Sequence, residues 1–141
     1  MAVPGELRVV DDVPAAFADL VTGLAPRAVA LSGGATARRC YEELAAREPD
    51  WSRVEVFFGD ERFVPPEHPD SNEGLARRAL LDHVEVAVVH PMYRPVPIEA
   101  AADEYDRLVP VVAADRRRAP RSRRGRAHGV ALPRLTRARR A

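Results

Sequence analysis

The sequence predicts an α/β fold: a parallel sheet in a three-layer arrangement, with helices on both faces. Three observations predict it. Short apolar runs with little polar alternation, such as AVAL and VEVFF, have the pattern of strands buried on both sides. The stretches between them repeat their apolar residues at helical spacing. A glycine pair closes one strand directly before a helix, as a tight strand-to-helix turn requires. Strands that alternate with helices pair in parallel through crossovers.

The elements follow in order. Residues 6–10 (ELRVV) read as a first short strand ending at the Asp11–Asp12 pair. Residues 13–24 place Phe17, Leu20, Val21 and Leu24 on one helical face, with Asp12 as N-cap and Gly23 near the stop. Residues 28–31 form a strand entering Ser32-Gly33-Gly34, and residues 36–47 a helix with Cys40, Tyr41 and Leu44 inward. Residues 54–58 are a buried strand, followed by an irregular, proline-rich loop over 59–69. Residues 71–81 are helical with Leu75, Ala79 and Leu80 inward, and 86–89 are a further strand before the His90-Pro91 turn. Residues 98–109 form an amphipathic helix carrying Ala101, Ala102, Tyr105 and Leu108.

A chain of 141 residues suits one domain. It has no apolar run near the roughly 20 residues of a membrane span, and its N-terminus lacks a signal-peptide pattern. One cysteine excludes an internal disulfide and a multi-cysteine zinc site, so a reducing, cytoplasmic compartment is expected. His68, His83 and His90 are far apart and show no ligand spacing, which argues against a metal site. Cys40 reads as a small core residue and Trp51 as packing where a helix returns to the sheet.

Two segments carry chemistry. In ALSGGATARR the turn brings backbone N–H groups and a helix N-terminus together, a setting that suits a phosphate. Thr36 is placed to cap that helix or bond a phosphate oxygen, and Arg38 and Arg39 add positive charge. An ordinary strand-to-helix turn has the same pattern. The second segment, VEVFFGDERFVPPEHPDSN, puts Asp60, Glu61 and Arg62 at the carboxyl end of a strand, where open α/β sheets bind ligands. Two carboxylates beside one guanidinium are costly there unless a polar group joins them. Arg62 suits bidentate grip of a phosphate or carboxylate, and Asp60 suits orienting it or bonding sugar hydroxyls. A surface salt-bridge network is the plainer alternative.

ALSGGAT, VFFGDERFVPPEHPDSN, LLDHV and VHPM together closely resemble the 6-phosphogluconolactonase branch of the glucosamine-6-phosphate isomerase/6-phosphogluconolactonase family, over about residues 7–112. The deaminase branch typically has Asp-Glu-Tyr where this chain has Asp60-Glu61-Arg62. The resemblance implies a Rossmann-like domain that hydrolyses 6-phosphoglucono-δ-lactone in the pentose phosphate pathway, without metal or organic cofactor. It implies substrate binding by Ser32, Gly33, Gly34 and Thr36, and a sugar-acid end facing Asp60 and Arg62, the two catalytic candidates. The expected partner is a small sugar phosphate, with neither nucleic acid nor membrane. Ala35 and Ala37 depart from the family pattern, where Ser or Thr and then Pro are common. The chain leaves the oligomeric state open.

The resemblance also implies a truncation. Residues 1–112 hold 11 Arg against 20 Asp or Glu, a net of −9; residues 113–141 hold 11 Arg against one Asp, a net of +10. The family next has a strand and an Asp-Gly-His-Thr-Ala-Ser-Leu-Phe-Pro-Gly segment whose His is the expected general base. Here residues 125–134 read GRAHGVALPR. If each codon joined the last base of a true codon to the first two of the next, its middle base would equal the true codon's first base. All ten positions agree. Residues from about Ala113 are therefore expected to be out-of-frame and unstructured, with residues 1–112 the N-terminal part of the domain, and His128 not the family's base. Three other outcomes stay open: a non-catalytic sugar-phosphate-binding remnant, an amino-sugar-phosphate deaminase relative, and an arginine-tail nucleic-acid binder.

Overall fold

A carboxylate starts the first helix. Asp12 accepts a hydrogen bond from Ala15 N at 3.0 Å, satisfying one free donor of the first turn, and α1 runs Val13–Leu24. The computed structural model describes residues 5–118, with side-chain surroundings through Val109. The stretch beyond Arg118, with its expected lack of packing, lies outside the described residues.

Three strands follow, β1 (Ala28–Leu31), β2 (Glu55–Phe58) and β3 (Val88–Val89), all parallel in the order β1-β2-β3. Between them run α2 (Ala35–Ala46) and α3 (Asn72–Ala76), the latter continuing into a π-helical turn, Arg77–Leu81. Beyond β3 lies α4 (Ile98–Arg118). Because the strands are parallel, their carboxyl ends share one edge. Gly59 N bonds Leu31 O at 2.8 Å, so the glycine turn and the loop after β2 leave the sheet side by side.

Registry sets the core. Val29 pairs with Val56 and Leu31 with Phe58, so these four side chains share a face. Leu31, Val56 and Phe58 are buried there with Ala18 of α1, Cys40, Tyr41 and Leu44 of α2, and Ala76, Leu80 and Leu81 behind them. Trp51 and Val54 close the end. The α/β class and the parallel sheet are as the sequence predicts.

Several boundaries differ, each for a physical reason. Residues 6–10 are not a strand: no described strand pairs with them, and Leu7 and Val9 are 91% and 92% exposed. On α1 the contact stripe runs through Phe17, Ala18 and Val21, where a small side chain lets α2 approach; Leu20 and Leu24 lie to one side and are exposed. Its stop is not Gly23 but Ala25, left-handed at φ 44° before Pro26. The third helix changes to a π turn, with Asp82 N bonding Arg77 O at 3.0 Å, which adds Leu81 to the buried set. β3 keeps only two of the four expected residues, although Ala87 N and His90 N still bond Val54 O and Val56 O. α4 continues past residue 112 to Arg118, through residues whose Ala and Arg favour a helix locally.

These differences predict opposite outcomes for two leucines. Leu44→Ala empties a fully buried site and costs roughly 2–5 kcal/mol. Leu20→Gln, on the outward side of α1, changes stability by about 0.5 kcal/mol or less. Urea midpoints at unchanged m-value distinguish them; equal losses would return Leu20 to the core.

Candidate functional site

The glycine turn begins where β1 ends and the backbone of Ser32 leaves the ladder. Tyr41 on α2 takes both of its polar groups. The phenol oxygen accepts from Ser32 N at 2.9 Å and donates to Ser32 O at 2.8 Å. The two glycines are required for different reasons. A Cβ on Gly33 would stand 1.8 Å from Asn72 Oδ1, so Gly33 is a matter of space. Gly34 has φ +100°, a conformation side chains rarely adopt, so it is a matter of backbone. Gly34 is also the N-cap of α2. Thr36, expected in that role, lies one turn further in and is exposed.

Glu61 organises the second segment. Its Oε1 accepts from Asn72 N and Arg62 N, both at 2.7 Å; its Oε2 accepts from Glu73 N at 2.8 Å and Ser71 Oγ at 3.2 Å. A carboxylate thus sits on the free N–H groups that open α3, while Ser71 caps Gly74 N at 3.0 Å. Asn72 reaches back, donating from Nδ2 to Asp60 O at 3.1 Å. Gly74 lets Pro66 O approach to where a Cβ would be. The proline-rich loop is therefore tied at its start, its middle and its end.

This divides the acidic pair. Glu61 is satisfied by backbone donors, so it needs no ligand, contrary to the expectation that both carboxylates call for one. Asp60 and Arg62 are exposed, and among the described residues no ion pair joins them.

Gly34 and Arg62 meet at one cavity of about 340 Å³, which Arg38, Ser71 and Asn72 also line. The two sequence motifs, 26 positions apart from Gly34 to Asp60, are brought together by parallel strand ends. Gly33 contributes from beneath, through Asn72. Ser32, Thr36 and the side chain of Asp60 are not on its wall. Arg38 and Asn72 are the residues the sequence did not single out as a pair of wall residues. Arg38 was detectable, one helical turn after Gly34; Asn72 was not, because its role is set by contacts distant in sequence.

A second, apolar cavity of about 370 Å³ lies between the loop and α4, lined by Phe63, Met92, Ile98 and Tyr105 among others. Tyr105 repeats the clamp of Tyr41: its oxygen accepts from Phe58 N at 2.8 Å and donates to Phe58 O at 3.0 Å. The histidines lie elsewhere. His83 meets Arg78 O, and His90 bonds Glu55 and stacks on Phe57 with centroids 4.4 Å apart.

Residues 7–122 match the family model for glucosamine-6-phosphate isomerases/6-phosphogluconolactonase. The chain belongs to this family. The match enters the arginine-rich stretch that the sequence reading separates at residue 112. Among its relatives, the 6-phosphogluconolactonase of Nostoc sp. is 53% identical over 58 residues, covering 41% of this chain and 24% of the relative. That of Mycobacterium leprae is 41% identical over 97 residues, covering 61% and 38%. The solved 6-phosphogluconolactonase from Thermotoga maritima superposes with a TM-score of 0.59 at 27% identity, covering 68% of this chain and 50% of that one. The chain spans a quarter to two fifths of the curated relatives' length and about half of the solved ones. Among the described residues no helix is long and apolar enough to cross a membrane.

Two predictions follow from the anchors. Glu61→Ala leaves the N–H groups of Asn72 and Glu73 without an acceptor and costs about 1–3 kcal/mol, with faster proteolysis in the 59–71 loop. A stable variant with an unchanged cleavage pattern would contradict the anchoring role. The second concerns alkaline pH. Burial raises the pKa of Tyr41 and Tyr105 above the ordinary 10.0 and that of Cys40 above 9.0. Each group holds its proton more tightly when folded, so its stabilisation is complete below those values and is lost as pH rises through the folded pKa. With no lysine in the chain, stability should begin to fall near pH 9 and steepen above 10. Tyr41→Phe lowers stability at neutral pH yet flattens the alkaline limb, as read by urea titrations over about pH 8 to 11.

Proposed function

We propose that this cavity is the substrate-binding part of a 6-phosphogluconolactonase site, in which 6-phosphoglucono-δ-lactone is hydrolysed to 6-phosphogluconate. The observation that carries the reading is the single cavity shared by Gly34, Arg38 and Arg62. The phosphate would lie against the glycine turn, where the N-terminus of α2 and Arg38 supply positive charge. Holding that remote group orients the ring, which lowers the entropic part of the barrier. Water attacks the lactone carbonyl, the ring C–O bond breaks, and Arg62 stabilises the oxyanion that develops between them. Asp60, at the cavity's edge through its carbonyl, would bond sugar hydroxyls. The deaminase reading is weaker, since Arg62 stands where that branch has Tyr.

The chain itself binds without turnover in this reading. No histidine lines the cavity, so the proton acceptor for the attacking water must come from elsewhere. The codon agreement over residues 125–134 supports assigning the stretch from about Ala113 to out-of-frame translation of the segment that carries that base. Residues 1–112 are then the first part of the family domain, and the substrate is a small sugar phosphate met in the cytoplasm.

Titrating the full chain with 6-phosphogluconate should show binding that Arg62→Ala weakens about tenfold, or roughly 1.4 kcal/mol. Lactone turnover should not exceed spontaneous hydrolysis. Turnover that Arg62→Ala abolishes would refute the binding-only assignment; an intact reading frame through the arginine-rich stretch would refute the out-of-frame one. In the frame-restored protein Gly34→Val should raise KM for the phosphorylated lactone and hardly affect the unphosphorylated one. Equal impairment of both would remove the phosphate from this turn.

A further inference from the structure

Among the described residues the sheet is covered on one face only. Val29, Leu31, Val56 and Phe58 face the helices, whereas the opposite face carries Ala30, exposed, and Val88, 39% exposed. Parallel strands are built for burial on both sides. Residues 6–10 add a second anomaly: exposed Leu7 and Val9 alternate with the Glu6–Arg8 ion pair, a strand's pattern without a strand's neighbour. Single exposed apolar residues are ordinary, but an open sheet face and an unpaired strand pattern in one chain are not.

The family structures indicate the occupant. Solved relatives align this chain with 46% to 50% of their own length, so a comparable length of chain completes the same domain there. We propose that residues 6–10 and the Ala30/Val88 face are a docking surface for a second polypeptide that carries the remaining part of the family domain. Its strands extend the sheet beside residues 6–10, and its apolar helical surface covers Ala30 and Val88. Two chains then build one domain. The inference rests on family membership and not on which reaction the assembled site performs.

The test uses the full 141-residue chain, co-expressed with the part of a 6-phosphogluconolactonase that lies outside its match to this chain. The donor is a relative whose own two parts are first shown to reassociate, with Mycobacterium leprae the first choice. A one-to-one complex is expected, weakened about tenfold or more by Leu7→Asp with Val9→Asp and by Val88→Lys. These side chains are exposed in the chain alone, so its circular dichroism should not change. Three outcomes overturn the proposal: the chain purifies alone, it pairs with a second copy of itself instead, or a complex forms that ignores these substitutions. A complex that fails to hydrolyse the lactone sustains the docking surface and counts against the lactonase reading alone.

Discussion

One carboxylate holds the site together. Glu61 receives four donors, the backbone N–H groups of Arg62, Asn72 and Glu73 and the Ser71 hydroxyl. The loop between β2 and α3 has no regular ladder to satisfy its own polar groups, so it requires side-chain acceptors at its ends. A charged acceptor at a helix N-terminus makes stronger bonds than a neutral one. Its consequence reaches beyond the loop. With its backbone fixed by Glu61, Asn72 presents one end of its amide to Asp60 O and the other to the space over Gly33. The loop after β2 is thereby registered against the turn after β1, and Arg62 remains uncommitted toward the cavity.

The two tyrosine clamps solve a related problem. Where a parallel strand ends, the next N–H and C=O lose their ladder partners, and leaving them unpaired costs about 1–3 kcal/mol each when buried. Tyr41 and Tyr105 each supply one oxygen that accepts and donates, so a single side chain satisfies both groups of Ser32 and of Phe58. Each clamp comes from a helix, α2 or α4, and locks that helix to a strand end. The carboxyl edge of the sheet is rigid for this reason, although the chain that leaves it is irregular.

What the sequence revealed was what local chemistry decides. Asp12 as a cap, the strand at 28–31 and the inward trio Cys40, Tyr41 and Leu44 depend on near neighbours, and the structure has them all. The meeting of Gly34 with Arg62 was also readable, because parallel strands put their carboxyl ends on one edge. Residues 6–10 failed because alternation shows only that a segment can pair, not that a partner is there. Thr36 failed as a cap because a glycine with positive φ already turned the chain one residue earlier. Glu61 was misassigned because its sequence neighbours, Asp60 and Arg62, concealed partners ten or more positions away.

Binding and chemistry occupy different lengths of chain in this fold. Every cavity wall residue comes from β1 to α3, within residues 34–75, and is held by Glu61, Asn72 and Tyr41 from the same stretch. Those contacts need no strand beyond β2 except to cover the sheet. A general base for water, by contrast, must approach the lactone carbonyl from outside that wall, on a segment that parallel topology places at another strand end. Loss of the later half of such a domain therefore removes proton transfer before it removes the anion cradle. The cost falls on stability instead: an open sheet face forfeits about 25 cal/mol for each Å² of apolar surface left in water. A chain in this condition retains a recognisable binding site on a sheet that lacks its second cover, and its affinity for a phosphate is limited by how firmly that sheet stays folded.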